Sequence, residues 1–173
     1  MTFIETARLA LRKMTPDDAD NLLGIFQNPV AMRYYRNSKD RAETLDWIDW
    51  NLRGYREDGI GLWIVELRDS GQFVGQCGLT MQEVEGVREP EVGYLFLQEA
   101  WGKGYATKAA ACLDYGFTRQ GYPRIICLPA ADNHPSRRVA ERVGMTLERE
   151  LIRRGKKTCV YVLTNGQSLT RGT

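Results

Sequence analysis

Residues 97–106 read Leu-Gln-Glu-Ala-Trp-Gly-Lys-Gly-Tyr-Ala, so an apolar strand gives way to two glycines and then to a helix. Glycine lets a backbone approach a ligand closely, and the first N–H groups of a helix have no partners within that helix. A phosphate group is stabilised at this positive end of the helix dipole. The stretch predicts an anion site, with a plain glycine loop before a buried helix as the alternative.

Two common nucleotide-binding loops are excluded by particular residues. A Walker loop requires Gly-Lys followed by Ser or Thr to hold Mg²⁺, but Lys103 lies between two glycines. A dinucleotide fingerprint requires a third glycine, where this chain has Thr107, and an acidic residue at the end of the next strand, which here ends at Leu128-Pro129. The sequence therefore favours neither a nucleoside triphosphate nor a dinucleotide as ligand.

Length and composition predict one globular domain. Of the 173 residues 43% are hydrophobic and 27% charged, which is enough to form a core. The net charge of +2 is too small for a general nucleic-acid or membrane-surface binder. No run approaches the ~20 apolar residues of a membrane span, and the N-terminus lacks the features of a signal peptide, so a cytoplasmic location is expected.

Cysteine and histidine usage limits the chemistry. The four cysteines, Cys77, Cys112, Cys127 and Cys159, contain no C-x-x-C pair and are expected to be buried free thiols. His134 is the only histidine, so a histidine-rich metal site is excluded and no metal is expected.

Hydrophobic periodicity and turn residues predict strands and helices around one mixed sheet, an α/β or α+β domain. Strands are predicted at 8–12, 62–67, 73–81, 91–97, 125–128, 146–152 and 158–163. Helices are predicted at 15–27, 40–56, 104–119 and 135–143. The polar segment 83–90 is predicted to be a loop.

Six blocks of sequence occur in an order that resembles the GNAT N-acetyltransferase superfamily. They are Thr6-x-Arg8-Leu9-x-Leu11-Arg12, Val74-Gly75-x-x-Gly78-Leu79, Glu91-Val92-Gly93-Tyr94, Trp101-Gly102-Lys103-Gly104-Tyr105-Ala106-Thr107, Asn133-x-x-Ser136 and Glu141-Arg142-x-Gly144-Met145. The chain is most similar to the branch that acetylates ribosomal-protein N-termini and assorted small amines. The resemblance covers about residues 6–164, so we expect an acetyltransferase domain at 1–164 and a C-terminal tail at 165–173.

The resemblance implies a single domain with a central, twisted, mostly antiparallel mixed sheet that is flanked by helices. It implies acetyl-CoA as co-substrate, in a place where the strand before the glycine loop splays away from its neighbour. Pantetheine would pair with the backbone of Phe96 and Leu97. The pyrophosphate would bind the backbone of Gly102, Lys103, Gly104, Tyr105, Ala106 and Thr107.

The Asn133-His134-Pro135-Ser136 segment predicts a capped helix start. The resemblance implies that Asn133 and Ser136 also face the pantetheine arm and the thiol. Many superfamily members carry a general-acid tyrosine in this helix, but this chain has Ala140 there. Ser136 is therefore the candidate donor to the departing sulfur, with Tyr161 as a weaker candidate that fits the core better.

Acetyl transfer to an amine requires the amine to be neutral, so a base is needed where the amine is protonated. Glu91 lies on the strand that forms one wall of the splay and is the candidate base. The alternative interpretation is a solvent-facing carboxylate at the start of a strand.

Charge is distributed unevenly along the chain. Residues 137–157 contain eight basic and three acidic residues, which indicates either contacts with the 3′-phosphate of CoA or a solvated basic face. Residues 82–99 contain five acids and one arginine, which predicts a cationic amine as acceptor.

Together these patterns predict an enzyme that transfers acetyl from acetyl-CoA to a primary amine by direct attack in a ternary complex. The acceptor is either a protein N-terminus or a small molecule, a homodimer is a possible assembly, and neither nucleic acid nor membrane is an expected partner. The loss of the tyrosine at Ala140 motivates the alternative of a catalytically silent acyl-CoA-binding or sensor protein.

Overall fold

The computed structural model, which describes residues 2–166, places eight strands in one sheet. In chain order they are β1 (Thr2–Glu5), β2 (Leu9–Arg12), β3 (Leu62–Leu67), β4 (Phe73–Val84), β5 (Val87–Phe96), β6 (Arg124–Cys127), β7 (Thr146–Arg153) and β8 (Lys156–Thr164). Their order across the sheet is β1-β2-β3-β4-β5-β6-β8-β7. Only β5 and β6 pair in parallel, so the mostly antiparallel mixed sheet that the sequence predicts is confirmed.

Helices cover both faces of the sheet. They are α1 (Ala19–Phe26), α2 (Arg41–Glu57), α3 (Ala109–Thr118) and α4 (His134–Arg142). Side chains of α1 and α2 share a buried cluster with Ile64 of β3, whereas α3 and α4 pack with Leu79 of β4 and Val92 of β5 on the other face. The fold therefore has one sheet between two helical layers.

The segment 83–90 is not the loop that its polar composition predicts. β4 and β5 continue through it and are joined by a two-residue turn at Glu85-Gly86, where both φ angles are positive, 51° and 80°. Such turns match the twist of a hairpin. The polar composition is explained by ion pairs at the hairpin end, between Glu85 and Arg149 (2.9 Å) and between Glu89 and Arg124 (2.6 Å).

Two further boundaries differ from the sequence prediction. β1 was not expected, because its four residues show little alternation, yet it pairs with β2 at one edge of the sheet. α3 begins at Ala109 rather than at Gly104, after a short 3₁₀ turn at Ala106–Lys108. Gly104 has a φ of 73°, which lies outside the helical region.

The splay between β5 and β6 is present. The two strands share a single register pair, Glu91 with Ile126, although β5 continues for five more residues to Phe96. At roughly 3.3 Å per residue, one edge of β5 extends about 16 Å beyond its last contact with β6. This open edge lies directly before the glycine loop.

Four other expectations concern the cysteines, membrane helices, metal ligands and the C-terminal tail. The four cysteines are buried and free, as predicted. Among residues 2–166 no helix is long and apolar enough to cross a membrane, and no group of three potential metal ligands assembles. In the predicted tail, the Asn165 N–H donates to the Pro123 carbonyl at 2.9 Å, while residues 167–173 lie outside the described part of the chain.

Candidate active site

The glycine loop between β5 and α3 is anchored by its flanking residues. The Arg8 guanidinium donates to the Lys103 carbonyl at 2.9 Å and lies over the Tyr105 ring, 5.2 Å from its centroid. Tyr105 is buried against Phe96, and the Trp101 indole N–H donates to the Phe96 carbonyl at 3.1 Å. These contacts fix the course of the loop through side chains.

The backbone of this loop has a conformation that suits an anion. Gly102 and Gly104 both have a φ of 73°, which a residue with a side chain rarely adopts. The residue before α3, Lys108, makes no side-chain hydrogen bond to the first turn, whereas Asp40 and Asn133 cap α2 and α4. The first N–H groups here lack such a cap, which is the arrangement that a phosphate satisfies.

The open edge of β5 presents alternate residues toward the splay. The Leu97 N–H donates to the Val74 carbonyl of β4 at 3.0 Å, so it points away from β6. Because hydrogen-bonding direction alternates along a strand, the main-chain groups of Tyr94 and Phe96 point toward the splay. Of the two predicted pantetheine partners, Phe96 therefore lies on the open edge, although its carbonyl already accepts the Trp101 indole N–H, and the Leu97 amide is used within the sheet.

A tyrosine joins the splay to the start of α4. The Tyr94 hydroxyl donates to the Ser136 carbonyl at 2.9 Å and lies 3.1 Å from Ser136 Oγ and 3.9 Å from Cys127 Sγ. The Asn133 side chain accepts from the Ser136 N–H at 3.1 Å, which is the predicted helix cap. Burial raises the pKa of Tyr94 well above its usual value, so its hydroxyl keeps its proton.

Glu91 lies on β5 at the point where β5 and β6 separate. It is the cross-strand partner of Thr80, and its half-buried carboxylate accepts the Leu128 N–H. Burial raises the pKa of Glu91 to about 7, although the nearby charges of Arg153 and Arg154 act in the opposite direction. A carboxyl with this pKa exchanges its proton near neutral pH, which is what a general base requires.

Two alternative positions for a general acid are occupied by core residues. Ala140 is fully buried. Tyr161 is also buried, and its hydroxyl donates to Glu141 at 2.8 Å and accepts from Arg137 at 3.2 Å. This burial fits the core position that the sequence favours for Tyr161.

Comparison with known proteins identifies the family. The sequence model of the Acetyltransferase (GNAT) domain matches residues 8–146. The chain belongs to the GNAT acetyltransferase family. This GNAT enzyme is 40% identical over 162 residues to the uncharacterized protein YkkB of Bacillus subtilis, covering 92% of this chain and 94% of that protein.

Solved GNAT structures have the same fold. An acetyltransferase from Agrobacterium tumefaciens superposes with a TM-score of 0.82 at 26% identity, covering 94% of each chain. RimL, a ribosomal L7/L12 α-N-protein acetyltransferase solved in complex with coenzyme A, superposes with a TM-score of 0.75 at 16% identity, covering 96% of this chain and 97% of that one. The protein is accordingly an acetyl-CoA-dependent N-acetyltransferase.

Sequence reasoning missed the contact between Tyr94 and α4 of this GNAT domain. Tyr94 lies three residues after Glu91, so the two side chains lie on opposite faces of β5. Its partner Ser136 is 42 residues further along the chain, and nothing local marks the pair. The signal for this contact that the sequence offered was Tyr94 itself, at the end of the Glu91-Val92-Gly93-Tyr94 block.

Two of the five acids in residues 82–99 are paired with arginines in the folded GNAT domain. Glu85 pairs with Arg149 and Glu89 pairs with Arg124, and the arginine of this segment, Arg88, pairs with Asp58. The basis for expecting a cationic acceptor is therefore weaker than the sequence suggests.

Proposed function

We propose that this GNAT enzyme transfers the acetyl group of acetyl-CoA directly to a primary amine within a ternary complex. Bound acetyl-CoA supplies a thioester whose carbonyl carbon the amine attacks. The observation that carries the proposal is the carboxyl of Glu91, half-buried beside the splay with a pKa of about 7.

The described residues fit the co-substrate that the family uses. The positive φ angles of Gly102 and Gly104 and the uncapped start of α3 suit the pyrophosphate, which would be held by the backbone of residues 102–107. The open edge of β5 at Tyr94 and Phe96 suits the amides of pantetheine. Asn133 would hold the start of α4 in place beside that arm.

Glu91 would accept the proton that the amine loses. A bond forms between the amine nitrogen and the carbonyl carbon, the carbon–sulfur bond breaks, and the proton from nitrogen passes to Glu91 directly or through water. A lysine-like amine has a pKa of ~10.4 and depends strongly on this base, whereas an α-amine at ~7.7–8.0 depends on it less.

Ser136 would stabilise the departing sulfur, with the Tyr94 hydroxyl beside it. The Ser136 hydroxyl is the candidate hydrogen-bond donor, and the Tyr94 hydroxyl lies 3.1 Å from it. A thiol with a pKa near ~8.5 is a tolerable leaving group, so hydrogen bonding is sufficient and full proton transfer in the same step is not required. Tyr94 thereby supplies a phenol near α4, in place of the tyrosine that many superfamily members carry where this chain has Ala140.

The alternative of a silent acyl-CoA-binding protein rests on the missing tyrosine at Ala140. The phenol of Tyr94 beside Ser136 weakens the argument for a silent protein, and the raised pKa of Glu91 favours catalysis. Release of CoA thiol on addition of amines separates the two functions. Binding of acetyl-CoA without turnover on peptides, polyamines, amino acids or aminoglycosides would favour the silent protein.

The pH dependence of Glu91→Gln tests the proposed base. The variant keeps the shape of the side chain but cannot accept a proton, so kcat at pH 7 should fall by roughly 10²–10⁴ with acetyl-CoA binding nearly unchanged. The loss should shrink as pH rises, because more of the amine is then neutral. In the wild type, activity should fall as pH drops below about 7, where Glu91 becomes protonated. Wild-type activity of the variant at pH 7 would make Glu91 a structural carboxylate.

A further inference from the structure

The β7–β8 hairpin reaches across the sheet toward Glu91. Its two-residue turn, Arg154-Gly155, has positive φ angles of 52° and 76°. On one side of the turn, the Arg153 guanidinium donates to Gln82 Oε1 at 2.8 Å. On the other side, Lys156 Nζ donates to the Tyr34 carbonyl at 3.1 Å. The hairpin tip is therefore tied both to β4 and to the segment between α1 and α2.

These contacts connect the hairpin tip to the catalytic strand. Gln82 donates to Thr80 Oγ1 at 3.2 Å, and Thr80 is the cross-strand partner of Glu91. Cross-strand partners project from the same face of a sheet. Arg153 and Glu91 therefore lie over the same face, which is the face covered by α1 and α2.

Tyr35 borders the same region from the segment between α1 and α2. The residue as a whole is 46% exposed, but burial of its hydroxyl, followed by the negative charge of Glu91, raises the pKa of Tyr35. The hydroxyl is accordingly turned inward beside Glu91. We use the name acceptor groove for the surface that carries Gln82 and Glu91 together with the adjoining Tyr35, Arg153 and Arg154.

Within residues 2–166 neither arginine of the acceptor groove forms an ion pair, although the charge of Glu91 acts on Arg153. Arg153 is half-buried and its hydrogen-bond partner is the neutral amide of Gln82, while Arg154 forms no ion pair. By contrast, Arg149 on the same strand pairs with Glu85, and Lys157 pairs with Glu150 at 2.6 Å.

Arg153 is the half-buried cation of the two, whereas Arg154 is exposed to solvent. Desolvation, followed by the like charge of Arg154, lowers the pKa of Arg153, which means that its surroundings disfavour the charge. Guanidinium groups bind carboxylates and phosphates through paired hydrogen bonds, and the bond is stronger away from bulk water. The groove thus offers a negative group at Glu91 and unpaired positive groups at Arg153 and Arg154.

We propose that the acceptor of this enzyme is an amine that carries a carboxylate or similar acidic group near its nitrogen, bound by Arg153 and Arg154 while Glu91 receives the amine proton. This inference rests on the proposed function and specifies its substrate class. A polyamine or aminoglycoside would bring further positive charge against the arginines and is disfavoured. The acidic amine has two sources, a free amino acid or a peptide whose N-terminal residue is acidic.

Matched pairs of acceptors test the inference. Each pair differs in one acidic group: an amino acid against its amide, and an Asp-Ala-Ala peptide amide against its Asn-Ala-Ala counterpart. The wild type should prefer the acidic member of at least one pair by about tenfold or more in kcat/KM, as expected for hydrogen bonds to a charged group. The pair that shows the preference identifies the source.

The double variant Arg153→Gln/Arg154→Gln should remove this preference, so that the ratio of kcat/KM for acidic and neutral members, each expressed per neutral amine, falls to about one. Assays are run at pH 9, well above the pKa of about 7 of Glu91, because loss of the nearby cations raises that pKa. Lys157→Gln is the matched control, because Lys157 is on the same hairpin but is paired with Glu150. It should keep the wild-type ratio.

The outcomes that contradict the inference differ from those that contradict the function. Turnover with a preference for neutral or cationic amines, or an acid preference that survives the double variant, overturns the acidic-acceptor inference and leaves acetyl transfer intact. Absence of thiol release with every amine in the panel overturns the proposed function itself, and the inference with it.

Discussion

Replacing Glu91 by Gln should stabilise the protein above neutral pH while removing most of its activity. The pKa of Glu91 is raised by burial from 4.5 to about 7. Between these two pH values the folded protein holds a proton that the unfolded chain has released. Wild-type stability therefore falls as pH rises through this window, and the glutamine variant does not share this loss.

The magnitude follows from the pKa difference. Each pH unit in this window lowers the free energy of unfolding by about 1.4 kcal/mol, which gives about 3 kcal/mol in full. Solvent reaches part of the half-buried side chain, so we expect about 2 kcal/mol at pH 8 and little difference at pH 4.5. For a chain of this size that corresponds to a Tm increase of roughly 4–8 °C.

Urea denaturation at pH 4.5 and pH 8 measures the effect, because the difference between variant and wild type cancels the titration of other groups. Glu83→Gln is the matched control, since Glu83 is an exposed carboxylate on the adjacent strand β4 and should show no pH-dependent gain. If Glu91→Gln gains no more stability at pH 8 than at pH 4.5, the carboxyl is not held in a desolvated position, and the argument for its role as base fails.

Two other substitutions have structurally matched controls. Gly104→Val should weaken acetyl-CoA binding at least tenfold in calorimetry, because a side chain enters the phosphate-binding backbone. The control Gly71→Val, at a similar φ of 69° in the β3–β4 turn, should cost comparable stability and leave the affinity for acetyl-CoA unchanged. Equal affinities of the two variants would remove the phosphate assignment. Tyr94→Phe should lower kcat about tenfold with little change in the KM for acetyl-CoA. The control Tyr161→Phe also loses a buried hydroxyl, worth about 1 kcal/mol, and should leave kcat intact. Equal kcat values for the two variants would make Tyr94 purely structural.

Much of the fold was predictable because its signals are local. The capping box of Asp40 and Glu43 marks the start of α2, with both reciprocal hydrogen bonds at 2.9 Å. The glycines at 102 and 104 mark the loop, and both have the positive φ that favours glycine. Features of this kind depend on a few neighbouring residues and can be read without tertiary structure.

The remaining features depend on residues that are distant in sequence. The turn at Glu85-Gly86 places a glutamate at positive φ, and its ion pair with Arg149 spans 64 residues. Arg153 meets Gln82 over 71 residues, because the strand order brings the β7–β8 hairpin back toward β4. Composition predicted a cationic acceptor, whereas the folded chain pairs Glu85 and Glu89 with arginines and brings Arg153 toward Glu91.

Direct transfer in a ternary complex is tested most directly by following three quantities at once: thiol released from acetyl-CoA, acetylated amine formed, and the intact mass of the protein. We predict no acetyl adduct on the protein and no thiol above spontaneous hydrolysis with acetyl-CoA alone. On addition of an accepted amine, thiol and acetylated amine should appear in equal amounts. An acetyl adduct that forms on the protein with acetyl-CoA alone and is then passed to the amine would contradict direct attack.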